Sequence, residues 1–200
     1  RIKQAFNRTF WNPSTRTYDR NSQAANAVAL YMGLTTPENR QQVFDNLIAD
    51  SRGRNNALTA GDVGYRYVLR ALEAGGASDV IYDMNCKYDT PGYGWQLAHG
   101  ATALTESWQA YCFVSNNHFM LGHLMEWLFS GLGGIRQKED SFGFKHIVIK
   151  PEPVGDVRDA QVSYESPYGQ IVSDWKDNDK EFIIRVEVPA NSKASVYLPS

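Results

Sequence analysis

The chain has 200 residues, of which 42% are hydrophobic and 12% aromatic, and its formal net charge at pH 7 is −2. That length can bury a sizeable core as one large or two small domains. Lysines and arginines are scattered, which argues against nucleic acid as a partner. No apolar run approaches the roughly 20 residues that cross a bilayer, so the sequence predicts no membrane partner either.

The two cysteines, Cys86 and Cys112, do not form a disulfide framework. They are interpreted as two buried thiols, with a disulfide as the alternative if the protein is exported. No Cys/His cluster reaches the ligand count of a zinc site, so we expect neither a metal nor another cofactor. The compartment is left open, with a periplasmic or extracellular location favoured over the cytoplasm. Because the chain starts at Arg1 without methionine, we expect a longer parent protein.

Helices dominate the first half in the predicted order of elements. Residues 1–6 resemble the tail of a helix, and the Asn12-Pro13 turn predicts a hairpin between aromatic pairs. Residues 24–32 follow the N-cap signal of Asn21-Ser22, and Pro37 opens a helix that reaches about residue 52. A further helix covers about residues 65–72, and Ser78 is predicted to cap a short one.

The middle of the chain is predicted to alternate a loop with two helices. Residues 89–94 have the glycine and proline density of a binding loop, which is also that of an ordinary loop. Helix signals return at residues 102–110 and again at 117–132, where glycines end the run.

Short strand-like runs begin after Phe142 and are separated by Pro, Gly, Asn and Asp. Their alternation and spacing predict an antiparallel β-sandwich. The fold class is therefore a multi-domain arrangement of helices followed by a sandwich. We place the first domain at residues 1–138 and the second at residues 139–200.

Carboxylate, imidazole and aromatic side chains are gathered between residues 93 and 127. This mixture suits a sugar pocket, because aromatic faces stack on pyranose C–H groups while polar groups bind hydroxyls. One carboxylate can also move a proton. The alternative is that the tryptophans are core residues, the glutamate a solvated helix residue and the histidine a helix-start residue. The candidate site residues are Tyr93, Trp95, Glu106, Trp108 and His118.

Residues 100–108 have the pattern Gly-Ala-Thr-x-x-x-Glu-x-Trp and are followed by Asn117-His118 and by Glu-Trp-Leu at 126–128. This combination resembles the bacterial α-L-rhamnosidases of glycoside hydrolase family 78. The resemblance implies the second half of an (α/α)6 barrel with a C-terminal β-sandwich. It also implies inverting removal of terminal α-L-rhamnose from an oligosaccharide or glycoside, with Glu106 as general base and His118 in contact with the sugar.

The chain departs from the family pattern next to the glutamate, where Thr105 and Ser107 replace a tryptophan and an arginine. No motif matches the family's general acid, so this chain alone is expected to be inactive. Asp62 lies in a loop that resembles a pocket-facing loop of the family, but an acid at a helix start is also ordinary dipole complementarity.

Two alternative functions remain open at this stage. The chain could be a non-catalytic carbohydrate-binding or scaffolding piece, or an α-toroid hydrolase for another sugar. Half a toroid would leave apolar faces exposed, so we expect it to pair with the missing half of the barrel or with another copy.

Overall fold

The computed structural model describes residues 1–199. Their contacts form two compact units, Arg1–Leu124 and a second unit that begins at Met125. Residues 125–134 join the second unit because their backbone contacts its strands. Within it, the Trp175 indole N–H donates a hydrogen bond to the Leu132 carbonyl at 2.9 Å. The domain border between residues 138 and 139, which was placed there from the sequence, stays a prediction.

The first unit opens with helix α1, Ile2–Phe10, and an antiparallel hairpin of β1, Trp11–Asn12, and β2, Thr17–Tyr18. The hairpin was predicted and is confirmed. Tyr18 is fully buried, and its hydroxyl donates a hydrogen bond to the Asn7 side chain at 2.6 Å. The hairpin is thereby fixed to α1.

Four helices follow, near the predicted positions. The Ser22 hydroxyl caps the first of them by accepting the Ala25 N–H at 3.2 Å, as its sequence signal predicts. The predicted Ser78 cap is wrong, since the N-cap position is Ala77 and Ser78 is the first residue inside the helix. The helices are α2, Gln23–Tyr31; α3, Pro37–Gly53; α4, Asp62–Ala74; and α5, Ser78–Asn85.

The region from residue 93 to 132 differs most from the sequence expectation. A short helix α6, Tyr93–Ala98, begins at the last two residues of the loop predicted at residues 89–94. The helix predicted at residues 102–110 is absent, and the one predicted at 117–132 is broken into three short pieces. These pieces are a 3-10 turn, Phe119–Leu121; helix α7, Leu124–Trp127; and a π-helical turn, Leu128–Leu132.

Two three-stranded sheets make up most of the second unit. One sheet has the order β3-β4-β8 and the other β5-β6-β7. The second is antiparallel throughout, but β4 and β8 are parallel, so the sandwich is not purely antiparallel. The strands are β3, Ile135–Gln137; β4, His146–Ile149; β5, Asp159–Ser166; β6, Gly169–Asp177; β7, Phe182–Glu187; and β8, Lys193–Val196.

The core between the sheets is aliphatic. Ile135, Ile147 and Ile149 of the first sheet pack with Ile171 of the second, and each is at most 5% exposed. Side chains of both sheets therefore share one buried layer, which confirms the predicted sandwich.

Both cysteines are exposed, and neither takes part in a disulfide. The prediction that they are buried is wrong, because Cys86 ends α5 and Cys112 lies in a surface loop. Across residues 1–199, no helix has the length and apolarity needed to traverse a bilayer.

Candidate active site

Glu106 and His118 lie on two backbone segments that run side by side. The Glu106 N–H donates to the Ser115 carbonyl at 2.9 Å, and the His118 N–H donates to the Leu104 carbonyl at 2.8 Å. These bonds join segments 104–106 and 115–118. The two side chains singled out in the sequence are thus carried by adjacent chain segments.

Local side-chain hydrogen bonds explain why this segment is not helical. The Thr105 hydroxyl donates to the Ser107 carbonyl at 2.7 Å, and the Ser107 hydroxyl accepts the Gln109 N–H at 3.1 Å. Such bonds compete with the helical pattern of backbone bonds. Residues 105 and 107 are the positions at which the chain departs from the family pattern, and both shape the backbone around Glu106.

The Glu106 side chain is exposed and is held at one oxygen. Its Oε2 accepts the Ser115 N–H at 3.2 Å. Within the described residues Oε1 accepts no hydrogen bond, so it can accept one from water. A carboxylate restrained at one oxygen and open at the other can orient and deprotonate a water molecule.

Gln96 holds the peptide groups around Glu106 and was not identified from the sequence. Its side chain is 3% exposed. The amide nitrogen donates to the Thr105 carbonyl at 3.5 Å and the Ser107 carbonyl at 3.3 Å, and the amide oxygen accepts the Thr105 N–H at 3.4 Å. This one buried amide therefore fixes the backbone on both sides of Glu106.

His118 is paired with Asp62, the first residue of α4. The His118 Nε2 lies 3.2 Å from Asp62 Oδ2, and their side chains are 20% and 39% exposed. The Asp62 Oδ1 accepts the Val63 N–H at 2.8 Å. The hydrogen bond with His118, followed by that from Val63, holds the pKa of Asp62 below its usual range.

This pairing gives Asp62 a role beyond helix-dipole complementarity, which was one of its two interpretations from the sequence. When Nε2 carries the proton toward Asp62, Nδ1 of a neutral imidazole is left as an acceptor. The two residues are 56 positions apart, and no spacing rule in the sequence joins them.

Trp108 is buried, unlike the exposed Glu106 side chain. Its side chain is 4% exposed, and its indole N–H donates to the Ala60 carbonyl at 2.6 Å. The indole meets Tyr65 and Tyr93 edge to face, with ring centroids 4.8 and 5.3 Å apart. Trp108 packs in the core of the first unit, and its predicted contact with the sugar stays a prediction.

Tyr93 also serves mainly as packing. Its hydroxyl donates a hydrogen bond to the Leu121 carbonyl, and its ring is partly buried. Burial raises the pKa of Tyr93 to about 12. A neutral phenol committed to a backbone carbonyl stabilises the 3-10 turn that follows His118, and its predicted contact with sugar stays a prediction.

Trp95 is only partly buried and lies next to the segment that carries Glu106. Its indole stacks on His99, with centroids 4.0 Å apart, and its N–H donates to the Gln109 carbonyl at 3.1 Å. One indole face is therefore occupied by His99. Contact between Trp95 and a sugar stays a prediction.

Two exposed aromatic residues on the loop between Glu106 and His118 were not singled out from the sequence. Tyr111 and Phe113 stack with an interplanar angle of 10° and centroids 5.2 Å apart, and they are 46% and 80% exposed. A solvent-facing aromatic surface so close in the chain to the carboxylate can receive the apolar face of a sugar. Over residues 1–199, no three His, Cys, Asp or Glu side chains are grouped to hold a metal ion.

Comparison with known families covers both units of the chain. The bacterial alpha-L-rhamnosidase 6 hairpin glycosidase domain matches residues 1–132, and the bacterial alpha-L-rhamnosidase C-terminal domain matches residues 134–200. An alpha-L-rhamnosidase of Streptomyces avermitilis is 27% identical over 209 residues, covering all of this chain and 20% of its own length. One from Formosa agariphila is 24% identical, with 22% of its length covered.

Solved structures give the same result. The alpha-L-rhamnosidase of Dictyoglumus thermophilum matches 99% of the chain with a TM-score of 0.91 and 30% identity, over 23% of its own chain. That of Streptomyces avermitilis, complexed with L-rhamnose, matches the whole chain with a TM-score of 0.92 and 25% identity, over 20% of its own. The chain thus spans about a fifth of these relatives. Because one family model alone covers residues 1–132, the chain belongs to the bacterial alpha-L-rhamnosidase family.

Proposed function

We propose that this chain is part of an α-L-rhamnosidase that removes terminal α-L-rhamnose from a glycan or glycoside with inversion, and that Glu106 is its general base. The observation that carries the proposal is the pairing of segments 104–106 and 115–118, which places Glu106, held at one carboxylate oxygen, and His118 on adjacent stretches of backbone. Family membership supports the substrate class.

The mechanism follows from the contacts of Glu106. An inverting glycosidase uses an acid to protonate the leaving oxygen and a base to activate water on the opposite ring face, with roughly 6.5–9.5 Å between the two carboxyl groups. In the proposal Glu106 Oε1 takes the proton of that water while Oε2 stays on the Ser115 N–H. The water oxygen bonds to the anomeric carbon as the glycosidic bond breaks. The general acid comes from sequence outside these 200 residues.

His118 and Asp62 bind and orient the sugar in this proposal. The Asp62 carboxylate accepts from His118 Nε2 at 3.2 Å and so fixes the plane of the ring. Nδ1 then accepts a hydrogen bond from a sugar hydroxyl. Gln96 keeps the Glu106 backbone in place, while Tyr111 and Phe113 offer a stacking surface for the group beyond the scissile bond.

The direct test uses the full-length product of the gene with nitrophenyl α-L-rhamnoside. We expect release of L-rhamnose, and proton NMR during the first turnovers should show the β-anomer before mutarotation. First formation of the α-anomer would contradict inversion. A panel of other nitrophenyl glycosides decides whether a different sugar is preferred, and faster cleavage of one of these would overturn the rhamnoside assignment.

Carbohydrate binding without catalysis is the alternative from another functional class. Exposed Tyr111 and Phe113 would serve a binding protein as well as an enzyme. Calorimetric titration with L-rhamnose beside the activity assay separates the two functions. Binding without turnover would favour the non-catalytic one.

A further inference from the structure

The second unit contains a hollow of about 460 Å3 that the proposed hydrolysis does not use. This volume falls within the usual range for small-molecule sites, about 300–1,000 Å3. Three lysines, two aromatic residues and one carboxylate contribute to its wall, together with Ser141 and His146. These six are Lys138, Lys145, Lys193, Phe142, Tyr168 and Asp140.

The sheet register brings the lysines together around β4. Lys193 of β8 is the parallel partner of His146, and its N–H donates to the Lys145 carbonyl at 3.1 Å. The Lys138 N–H donates to the His146 carbonyl at 3.0 Å. Lys138 and Lys193 therefore flank His146 on opposite sides of β4, and the backbone bonds fix both positions.

The hollow carries an excess of positive charge. Across residues 1–199, none of these three ammonium groups lies within ion-pair distance of a carboxylate, and Asp140 is the one acid in the wall. Burial, followed by the charges of Lys138 and Lys193, lowers the pKa of His146. Two ammonium groups thus act on the same imidazole.

Aromatic surface lies beside this charge. Phe142 is 86% exposed and Tyr168 is 41% exposed, although a phenylalanine ring on a folded domain is usually buried. Aromatic faces stack on the C–H face of a pyranose, and ammonium groups pair with its carboxylate or sulfate substituents. A neutral sugar could stack and form hydrogen bonds at this wall, but it would gain no charge pairing with the lysines.

We propose that the hollow of the β-sandwich unit, lined by Lys138, Lys145, Lys193, Phe142 and Tyr168, binds an anionic saccharide, a pyranose that carries a carboxylate or a sulfate. Inorganic phosphate could also pair with the lysines, but it would leave Phe142 and Tyr168 without a stacking partner. The site lies entirely in the second unit, so it does not depend on Glu106 having a catalytic role.

Calorimetric titration of the full-length gene product tests the proposal. Trigalacturonate provides the carboxylate, lactose sulfate provides the sulfate, and maltotriose is the neutral comparison. We expect at least one charged saccharide to bind at least about tenfold more tightly than maltotriose. Its affinity should fall as the salt concentration rises. The charged probe that binds identifies the substituent. The proposal is overturned if neither charged saccharide binds, or if adenosine monophosphate binds more tightly than both of them.

Variants assign the binding to this hollow. The double variant Lys138→Gln, Lys193→Gln should weaken binding of the charged saccharide about tenfold. Phe142→Ala should weaken it several-fold. Joint Lys176→Gln and Lys180→Gln remove the same charge from exposed positions outside the hollow and should leave binding unchanged. Equal losses in the two lysine pairs would mean non-specific attraction. If Phe142→Ala bound the charged saccharide as tightly as the parent protein, the hollow would recognise only the charge, and the saccharide assignment would be overturned.

One further variant separates this proposal from the hydrolytic one. Glu106→Gln should retain full binding of the charged saccharide in the second unit. Loss of that binding in Glu106→Gln would place the saccharide at Glu106 instead and overturn the second site.

Discussion

At the scale of single residues, the site depends on which polar atoms already form hydrogen bonds within the protein. Glu106 is bound at Oε2 and His118 at Nε2, which leaves Oε1 and Nδ1 for water and sugar. Asp62 completes this arrangement because its carboxylate pairs with Nε2 of His118. The chemistry proposed for the site follows from the two atoms that remain.

Asp62→Ala should raise the KM for nitrophenyl α-L-rhamnoside several-fold and lower kcat less, because His118 loses the partner that orients it. Asp62→Asn keeps an oxygen acceptor and should be affected less. Glu38→Gln is the matched control, since Glu38 is a first-turn acid of α3 with no imidazole partner described. Steady-state kinetics of the three variants check this, and an unchanged KM in Asp62→Ala would remove His118 from substrate binding.

The pH dependence of stability has a defined sign at Asp62. Its pKa is lowered in the folded state, so its stabilising contribution is present above the unfolded value of about 3.9 and is lost as pH falls through the folded value. Asp62→Asn should therefore lose less stability than the parent protein on acidification below about pH 4. Denaturant unfolding across that interval measures the difference, which is small because the carboxylate is exposed.

Gln96→Leu should lower kcat about tenfold or more and also lower the melting temperature. The substitution removes Gln96 as the partner of the buried Thr105 N–H and C=O, at a cost of about 1–3 kcal/mol for each such group. The Ser107 carbonyl keeps its bond from the Thr105 hydroxyl. Gln41→Leu removes an exposed glutamine whose amide bonds only Asp45 and should change neither quantity. A stability loss in Gln96→Leu with unchanged kcat would limit Gln96 to folding.

At the scale of elements, α6 links the fold to the site, because it carries Tyr93, Trp95 and Gln96. Gly94 lets this helix approach the preceding turn. A Cβ at that position would lie 2.0 Å from the Lys87 carbonyl oxygen, which is a backbone atom that cannot rotate away. The glycine density of residues 89–94 is typical of a binding loop or of an ordinary loop, and at Gly94 the glycine permits this close packing.

Gly94→Ala should therefore destabilise the protein by about 1–3 kcal/mol and displace the Glu106 segment through Gln96. Gly53→Ala at the end of α3 is the matched control, because a Cβ there meets no atom within 4 Å. It should be neutral or stabilise by up to about 1 kcal/mol. Thermal unfolding compares the two variants, and equal melting temperatures would show that α6 can move aside.

The elements that the sequence predicted correctly are those with local signals. Ser22 caps α2 and Pro37 opens α3 as expected, and the β-rich runs became strands. The helix at residues 102–110 was mispredicted because its propensity was outweighed by two sets of hydrogen bonds. One set is made locally by Thr105 and Ser107, and the other by Gln96, a residue outside the segment. Glu106 and His118 were singled out through a motif, whereas the contacts of Asp62 and Gln96 follow no local sequence pattern.

At the scale of the whole molecule, these 200 residues correspond to about a fifth of the relatives they match. The first unit exposes several large apolar side chains. Ile2, Val63, Phe113 and Phe119 are each more than 70% exposed. Contiguous apolar surface beyond a few hundred Å2 is uncommon on a monomer.

The 200-residue chain produced alone should therefore associate with itself and bind a hydrophobic dye, and it should lack rhamnosidase activity. Light scattering after size exclusion and dye fluorescence measure the first two properties. A monodisperse monomer at high concentration that binds no dye would contradict this prediction.

The central claim is that the Glu106 carboxylate activates the attacking water. Its most direct test is kcat of Glu106→Gln in the full-length product with nitrophenyl α-L-rhamnoside, beside Glu139→Gln, which removes an exposed carboxylate in the second unit. General-base catalysis contributes about 10²–10⁴-fold, so Glu106→Gln should lose at least that factor at an unchanged melting temperature while Glu139→Gln stays fully active. Undiminished turnover in Glu106→Gln would contradict the account.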